Sequence, residues 1–340
     1  MSVRIGVINW DCSLPSDTYF GFHQTRSLSP AKYRRVTPFY ADILGEDKIG
    51  YHFRSQEEFD RELTCAIDAG IDYFAYVWYP DEGSRRHTAV SENDCSGHVW
   101  ELNYARRMHC ASELRERIRV CPIAGAHPFT DGDLEDLARA LQEPYYETVD
   151  GRPLVYVFGG CRADFITRLR QMCARVGTPD PYVAAMYNAG VPGDADLSAC
   201  EALSAYACTK SGVTKYAEVF AQSLEDNEKR RRAGKAVIPL FTTGWDPSPR
   251  VDSPVPWYGY PDENYAAFAS EEELLGGARR LAEWIKTAAD GQFIGHILSF
   301  AWNEFEEGGI ICPTVGADGA ADTARLEAFA RVTQVFRDAL

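Results

Sequence analysis

Residues 55–79 read SQEEFDRELTCAIDAGIDYFAYVWY, and this stretch contains the unit from which the fold is built. Ser55 and Glu58 predict a capping box at the start of a helix, and Gly70 predicts its end. IDYFAYVWY (71–79) follows as a nearly continuous apolar run, which is typical of a strand buried on both faces. A helix that leads directly into a buried strand indicates an α/β protein with parallel strands.

The same alternation of helix and strand runs through the chain. Apolar runs predict eight strands, at 3–9, 71–79, 118–127, 152–159, 181–188, 201–207, 235–246 and 293–302. Periodic patterns predict helices at 55–70, 100–117, 131–141, 163–177, 214–234, 270–289 and 322–340. Strands that are joined through helices lie parallel and have right-handed crossovers.

Eight such strands in 340 residues favour a single (β/α)8 TIM barrel, with residues 1–340 forming one catalytic domain. An open doubly wound sheet is the alternative. That fold would require a glycine-rich turn after the first strand, and INWDCSLP (8–15) has none. No sequence repeat or low-complexity linker divides the chain. We therefore predict one barrel.

The charge and the apolar pattern exclude several kinds of partner. A net charge of −15 makes nucleic acids and anionic membranes unfavourable partners. No apolar run approaches the roughly 20 residues that cross a bilayer. The start, MSVRIGVINWD, lacks the features of a secretory signal, so we expect a cytoplasmic protein whose ten cysteines are reduced. The sequence leaves the oligomeric state open.

Cysteine and histidine spacings predict neither a metal site nor a cofactor. No two cysteines form a CxxC pair, and the seven histidines form neither HExxH nor HxH motifs. The chain also lacks a GxSxG nucleophile turn and a phosphate-binding P-loop. We therefore expect no metal and no cofactor.

The carboxyl ends of the predicted strands carry many aromatic and hydrogen-bonding residues. These ends form the active site of a (β/α)8 barrel. Aromatic faces stack on the C–H faces of a sugar ring, while amides and carboxylates bind its hydroxyl groups. The ends therefore predict a sugar site; the alternative is that the aromatic residues only cover the barrel core. The candidate sugar-binding residues are Trp10, Asp11, Trp78, Tyr79, His127, Tyr187, Asn188, Tyr206, Trp245, Asp246, Trp302 and Asn303.

The last strand runs into FAWNEFEEG (300–308), which holds three glutamates within four positions. Like charges this close repel, so the cluster is either a solvated loop or a site that uses the charges. Glycoside cleavage needs one carboxylic acid and one carboxylate, and two carboxyl groups in one pocket differ in pKa. We predict that Glu304 and Glu307 are the catalytic pair and that Glu306 is a structural or solvated neighbour.

FAWNEFEEG resembles the WNEWxEG-type signature of glycoside hydrolase family 99 and its WbsX-like relatives. Further segments resemble that family in the same order, over roughly residues 60 to 310: AIDAGIDYFAYVWY (66–79), EPYYETVDGRPLVYVF (143–158) and TTGWDPSPR (242–250). The resemblance implies a (β/α)8 barrel with the activity of a retaining endo-acting α-mannosidase or α-mannanase, without a metal.

The resemblance also implies roles for the two glutamates. Glu304 matches the base that acts on the sugar 2-hydroxyl and so produces a 1,2-anhydro sugar intermediate. Glu307 matches the acid that protonates the leaving oxygen and later activates water. The chain departs from the family pattern at Phe305, where the signature has Trp, and at Pro247, where it has Asn. These departures bear on the substrate.

We therefore predict a retaining glycoside hydrolase that cleaves an α-linked glycan, with a mannoside-type oligosaccharide or glycoside favoured as the substrate. Two other functions stay open. One is an enzyme of polysaccharide or glycoside biosynthesis with a glycosyltransferase-type role, a setting in which WbsX-like proteins occur. The other is a non-catalytic sugar-binding barrel. The two glutamates count against the last of these, because a binding module needs no acid–base pair.

Overall fold

The computed structural model describes residues 3–80, 98–209, 212, 215–257, 259 and 268–340. Within these residues eight strand positions form one parallel sheet, and each lies within a range predicted from the sequence. They are β1 Arg4–Asn9, β2 Tyr73–Val77, β3 Arg119–Ala124, β4 Arg152–Val157, β5 Tyr182–Met186, β6 Ala202–Ser204, β7 in two segments Ala236–Val237 and Leu240–Thr242, and β8 His296–Phe300.

The sheet closes on itself. Strands that follow one another along the chain pair in parallel from β1 to β6, and β8 pairs with β1. In β7 the segment Ala236–Val237 pairs with β6, and the segment Leu240–Thr242 pairs with β8. Because one stretch of chain pairs with both edges, the predicted (β/α)8 barrel is confirmed.

Helices surround the barrel and agree with most of the predicted ranges. They are α1 Tyr19–Leu28, α2 Gln56–Asp68, α3 Tyr104–Ala111, α4 Asp131–Ala140, α5 Ala163–Val176, α6 Tyr216–Arg232, α7 Ser248–Asp252, α8 Glu271–Thr287 and α9 Ala324–Ala339. Helices α1 and α7 were not predicted. The predicted helix at 100–117 is broken into α3 and two flanking 3₁₀ turns, Val99–Asn103 and Glu113–Glu116.

Side chains at the helix starts explain why the helices begin where they do. Ser55 accepts a hydrogen bond from the amide of Glu58, and the Glu58 carboxylate accepts one from the amide of Ser55. This is the predicted capping box, and α4 and α8 begin with boxes of the same kind. Among the described residues, none of the helices has both the length and the apolarity needed to span a membrane.

The barrel interior is filled with side chains, so it is not an open channel. The hydroxyl groups of Tyr73 and Tyr156 lie 2.8 Å apart inside the barrel. The Tyr73 ring fits because Gly6 has no side chain; a Cβ atom there would lie 2.1 Å from the ring. Below these rings, the His296 imidazole lies 3.1 Å from a Glu147 oxygen. A substrate therefore cannot pass through the barrel, and the active site of this fold is expected at the carboxyl ends of the strands.

Candidate active site

A cleft of about 350 Å³ opens at the carboxyl ends of the strands. The structure brings both predicted catalytic glutamates, Glu304 and Glu307, into the wall of this cleft. Half of the candidate sugar-binding residues also lie in the wall, namely Trp10, Tyr79, His127, Asn188, Tyr206 and Trp245. Aromatic and acidic side chains from distant parts of the sequence thus meet at one place.

The acidic signature forms a short hairpin at the end of β8. Asn303–Glu304 pairs antiparallel with Gly309–Ile310, and the amide of Glu307 donates to the Glu304 carbonyl at 3.0 Å. The Glu307 carbonyl in turn accepts from the amide of Asp246 at 2.7 Å. These bonds fix both acids relative to the loop that follows β7.

Asn303 attaches the hairpin to β1. Its Oδ1 atom accepts from the backbone amide of Trp10 at 2.9 Å, and its Nδ2 atom donates to Asn9 Oδ1 at 3.0 Å. The amide of Trp302 donates to the carbonyl of Ile8 at 2.8 Å. The bonds from Asn303 hold Trp10 beside the glutamates, although Asn303 itself is buried and does not line the cleft.

Glu304 is buried and is held by Tyr206. The Tyr206 hydroxyl donates to Glu304 Oε1 at 2.5 Å. Burial raises the pKa of Glu304 well above its ordinary value, and the nearby charge of Glu307 raises it further, while Arg250 and the Tyr206 hydrogen bond act in the opposite direction. The carboxyl group therefore holds its proton to a higher pH than a solvent-exposed glutamate does.

Arg250 is the main residue that the sequence analysis missed. It lies in α7, is buried, and forms an ion pair with Glu307. Its Nη2 atom lies 3.3 Å from Glu306 Oε2 and 4.0 Å from Glu304 Oε2. One guanidinium group therefore faces all three acids of the signature. The only signal in the sequence was its place as the last residue of TTGWDPSPR, a segment noted for its resemblance alone.

Glu306 is structural, and the alternative that it is solvated is wrong. Its side chain is 1% exposed. The Ser27 hydroxyl donates to one carboxylate oxygen, while Arg250 and the Cys12 thiol, 3.8 Å away, donate to the other. Glu306 therefore sits behind the cleft and shares Arg250 with the catalytic candidates.

Six of the candidate sugar-binding residues do not line the cleft, and for three of them, Asp11, Trp78 and Tyr187, the reason is strand geometry. Successive side chains along a strand point to opposite sides, and five of the strand ends were predicted to supply two neighbouring residues. At four ends one residue faces the cleft and its neighbour does not. The neighbours outside the cleft are Asp11, Trp78, Tyr187 and Asp246, and the remaining two residues outside it are Trp302 and Asn303.

The residues outside the cleft have partners elsewhere. Arg54 forms ion pairs with both Asp11 and Glu62, and the Trp302 indole donates to Glu62 Oε1 at 2.6 Å. The Tyr187 hydroxyl accepts from the backbone amide of Cys161 at 2.8 Å. These contacts support the strand ends from behind, so the predicted direct contact with a sugar is not supported for these residues.

Trp78 and Asp246 are also held away from the cleft. The Arg106 guanidinium lies 3.7 Å from the centre of the Trp78 ring, and Trp78 is buried. Asp246 accepts from the amide of Ser248 at 3.1 Å, at the start of α7. Asp246 thereby shapes the turn that brings Arg250 towards the glutamates.

The cleft also has lining residues that were not predicted. Phe20 comes from α1, Val99 from the turn Val99–Asn103, and Trp257 from the segment after α7. The Trp257 ring lies 4.9 Å from the Phe20 ring and 6.0 Å from the Trp10 ring. Phe158 and Thr209 line the cleft at other positions. Most of these residues lie in loops and in a helix that the periodic pattern did not identify, whereas Phe158 lies at the end of the predicted strand 152–159.

The fold and the cleft define a class of protein, a (β/α)8 barrel with a pair of buried carboxyl groups at its strand ends. Among the described residues, no group of three or more histidine, cysteine, aspartate or glutamate side chains is arranged to hold a metal ion. Glu304 lies against a hydroxyl group, while Glu307 lies against a guanidinium group. Carboxyl groups in such different surroundings can exchange protons with a bound ligand.

Two solved structures of the glycoside hydrolase family 99 endo-α-mannosidase from Bacteroides thetaiotaomicron share this fold. One is 14% identical, with a TM-score of 0.52, and the match covers 89% of this chain and 85% of that chain. The other, in complex with bis-tris-propane, is 15% identical, with a TM-score of 0.53, and the match covers 89% of this chain and 90% of that chain. The resemblance to family 99 is thus confirmed at the level of the fold. No family model and no curated protein matches the sequence.

Proposed function

We propose that the protein is a retaining glycoside hydrolase that cleaves an α-linked, mannoside-type glycan. The observation that carries the proposal is that Glu304 and Glu307 lie in one cleft in different electrostatic surroundings. The likeness in fold to a family 99 endo-α-mannosidase supports it. A site that only binds sugars would not require two buried carboxyl groups, because burying them costs free energy.

Glu304 acts as the base in this proposal. It takes the proton of the sugar 2-hydroxyl, and that oxygen attacks C1 to form a 1,2-anhydro sugar while the C1–O bond to the leaving group breaks. The leaving oxygen takes a proton from Glu307. A carboxylate whose pKa is raised by burial is a stronger base than an exposed one, so the surroundings of Glu304 suit this role.

The second half of the reaction uses the same two residues. Glu307, now a carboxylate, removes a proton from water, and the water oxygen attacks C1 of the anhydro sugar. The 2-oxygen takes its proton back from Glu304 as the ring opens. Two inversions at C1 give net retention, and both residues return to their starting states.

The proposed roles require a particular distribution of protons between Glu304 and Glu307. Burial favours the neutral form of Glu304, whereas a base must be ionised. Two coupled carboxyl groups titrate as a pair. The proposed roles therefore require that Glu304 is ionised and Glu307 is protonated in the substrate complex. The reverse assignment would use Glu304 in the neutral form that burial favours, so the experiment has to separate the two assignments.

The test is to incubate the wild type, Glu304→Gln and Glu307→Gln with fluorogenic α-mannosides and α-glucosides of one to four sugars. We expect hydrolysis of the mannosides by the wild type and a loss of about 10³-fold or more in each variant. Glu306→Gln is the matched control, because it removes a neighbouring carboxylate outside the cleft, and we expect it to stay within about tenfold of the wild type.

Activated substrates separate the acid from the base. A leaving group that needs no protonation, such as fluoride, should restore much of the activity of Glu307→Gln and little of that of Glu304→Gln. Rescue of Glu304→Gln alone would show that the roles are reversed. If wild type and variants are equally inert while glycans still bind, the hydrolase proposal is wrong. Proton spectroscopy of the first product tests retention.

A further inference from the structure

One side of the cleft is an apolar wall formed by Trp10, Phe20, Val99 and Trp257. These residues come from the end of β1, from α1, from the turn Val99–Asn103 and from the segment after α7. They form a continuous surface, since the rings of Trp10, Phe20 and Trp257 lie 4.9 to 6.2 Å apart. Four separate parts of the chain therefore build one apolar face.

The apolar wall has little capacity to bind sugar hydroxyl groups. Phe20 and Val99 have no polar side-chain atoms, and the Trp10 indole already donates to the Tyr79 hydroxyl at 3.0 Å. In the described part of the chain, the buried indole nitrogen of Trp257 has no hydrogen-bond partner, so it is the one donor that the wall can offer. A sugar ring stacked on Trp10 or Trp257 would find few partners on the wall for its hydroxyl groups, which costs free energy.

Another group of cleft residues has a different chemistry. This group is Tyr206, Asn188, His127 and Thr209, and Tyr206 donates directly to Glu304. Hydroxyl, amide and imidazole groups suit the hydroxyl groups of a sugar. The cleft therefore has polar residues next to Glu304 as well as the apolar wall.

Arg250 connects the apolar wall to Glu307. Its guanidinium lies 5.4 Å from the Trp10 ring and 5.8 Å from the Trp257 ring, and it forms the ion pair with Glu307. The guanidinium that pairs most closely with Glu307 thus also lies against the wall. In the proposed reaction Glu307 protonates the leaving oxygen, so the group that leaves would lie against the wall.

We infer that the apolar wall is a subsite for an apolar leaving group, so that the substrates are α-glycosides of hydrophobic alcohols with an alkyl or aryl aglycone. This inference rests on the proposed function. In the reaction the C1–O bond breaks, the alcohol leaves with the proton from Glu307, and water supplies the hydroxyl group at C1. A glycoside of this kind places its sugar against the polar residues and its apolar part on the wall.

The test measures affinity against chain length in the full-length Glu307→Gln variant. Methyl, butyl and octyl α-mannosides have leaving groups of similar reactivity and differ mainly in apolar surface. Calorimetry should show that affinity rises about fourfold for each methylene group that the wall covers. A phenylethyl mannoside measured beside the octyl compound distinguishes an aryl from an alkyl preference. Mannobiose and mannotetraose place a sugar, instead of an alkyl group, against the wall and so test whether the wall binds sugar.

Two matched substitutions locate the effect. Val99→Thr keeps the shape of the wall and adds a hydroxyl group, so the octyl-to-methyl affinity ratio should fall by about fivefold or more. Thr209→Val makes the reverse exchange among the polar residues and should leave that ratio unchanged. Equal affinity for methyl and octyl mannosides, tighter binding of mannotetraose than of octyl mannoside, or a ratio insensitive to Val99→Thr would overturn the inference.

Release of butanol from butyl α-mannoside by the wild type tests the proposed function separately. Release together with a chain-length trend supports both proposals. Release with a flat trend supports the hydrolase and overturns the apolar subsite. A trend without release supports an apolar subsite in the cleft and overturns the hydrolase. The two proposals can therefore fail independently.

Discussion

Glu304 is subject to opposing influences on its charge. Burial and the negative charge of Glu307 raise its pKa, while Arg250 and the hydrogen bond from Tyr206 lower it. Tyr206 is the simplest of these to change, because its hydroxyl touches Glu304 directly at 2.5 Å. Its ring also packs 5.5 Å from Phe158, so the ring can keep its place when the hydroxyl group is removed.

Tyr206→Phe should move the acidic limb of the kcat/KM profile to higher pH. The lost hydrogen bond stabilised the charged form of Glu304, so its pKa rises further. A base must be ionised, and activity is therefore lost at a higher pH as the solution is acidified. On the acidic side we expect about tenfold lower activity or more, with a smaller change at the plateau. A pH series with a fluorogenic α-mannoside measures this.

Tyr187→Phe is the matched control for this exchange. The Tyr187 hydroxyl accepts from the amide of Cys161 and lies outside the cleft. Its removal should therefore leave the acidic and alkaline limbs of the kcat/KM profile in place. If Glu304 were the acid, it would need its proton, and Tyr206→Phe would extend the alkaline limb instead. An unmoved profile in Tyr206→Phe would contradict a role for Glu304 in the titration.

At the scale of elements, the hairpin after β8 fixes Glu307 through Gly308. Gly308 has a φ of +78°, a conformation that residues with a Cβ atom rarely adopt. A Cβ atom there would lie 2.5 Å from the backbone nitrogen of Asp246, the atom that donates to the Glu307 carbonyl. Glycine is therefore needed both for the turn and for its contact with the loop after β7.

Gly308→Ala should reduce both stability and activity. The positive φ costs about 1 to 2 kcal/mol and the overlap with Asp246 adds about 1 to 3 kcal/mol. Because the overlap pushes Glu307 out of place, we expect kcat/KM to fall about 10-fold to 100-fold. Urea unfolding and mannoside hydrolysis measure the two effects.

Gly319→Ala separates the backbone cost from the overlap. Gly319 has a φ of +82°, but a Cβ atom there meets nothing within 4 Å. This variant should lose only the free energy of unfolding that the positive φ costs, about 1 to 2 kcal/mol, and keep its activity. Equal losses in the two variants would mean that the contact between Gly308 and Asp246 does not position Glu307.

The limits of the sequence are clearest for α1 and α7. Gly21 interrupts the helical pattern of α1, and glycine is a poor helix former. Glycine is needed at this position because of a tertiary contact, since a Cβ atom there would lie 2.1 Å from the carbonyl oxygen of Leu14. Arg250 in α7 gives no local sign that it will be buried against glutamates more than fifty residues away. Strand ends were predicted well, but not which residue of each pair faces the cleft.

At the scale of the whole molecule, the barrel could be predicted because eight apolar runs alternate with helical patterns along the chain. What the pattern did not predict is how the barrel closes. Strand β7 changes partner at Pro239, which has no amide hydrogen: before it Ile238 donates to the Leu203 carbonyl at 2.9 Å, and after it the strand pairs with β8. We call this point, where β7 leaves β6 and joins β8, the seam of the barrel. A side chain from α6 supplies hydrogen bonds there.

That side chain is Asn227, which is 1% exposed. Its Nδ2 atom donates to the Leu240 carbonyl at 3.0 Å, and its Oδ1 atom accepts from the Leu240 amide at 3.0 Å. The same Oδ1 atom accepts from the buried guanidinium of Arg230 at 2.7 Å. Asparagine therefore replaces a strand neighbour at the point where β7 changes partner, and it ties α6 to the seam.

Asn227→Ala should lower the free energy of unfolding by about 2 to 4 kcal/mol, measured by urea denaturation. The substitution leaves the Leu240 amide and one donor of Arg230 without their partner inside the protein, and each such buried group costs about 1 to 3 kcal/mol. Gln334→Ala is the control, because it removes a side-chain amide that bonds Asp338 on the exposed face of α9, and should change stability by no more than about 0.5 kcal/mol. If both variants unfold at the same urea concentration, the seam is held by backbone pairing alone, and the link from α6 contributes nothing to closure.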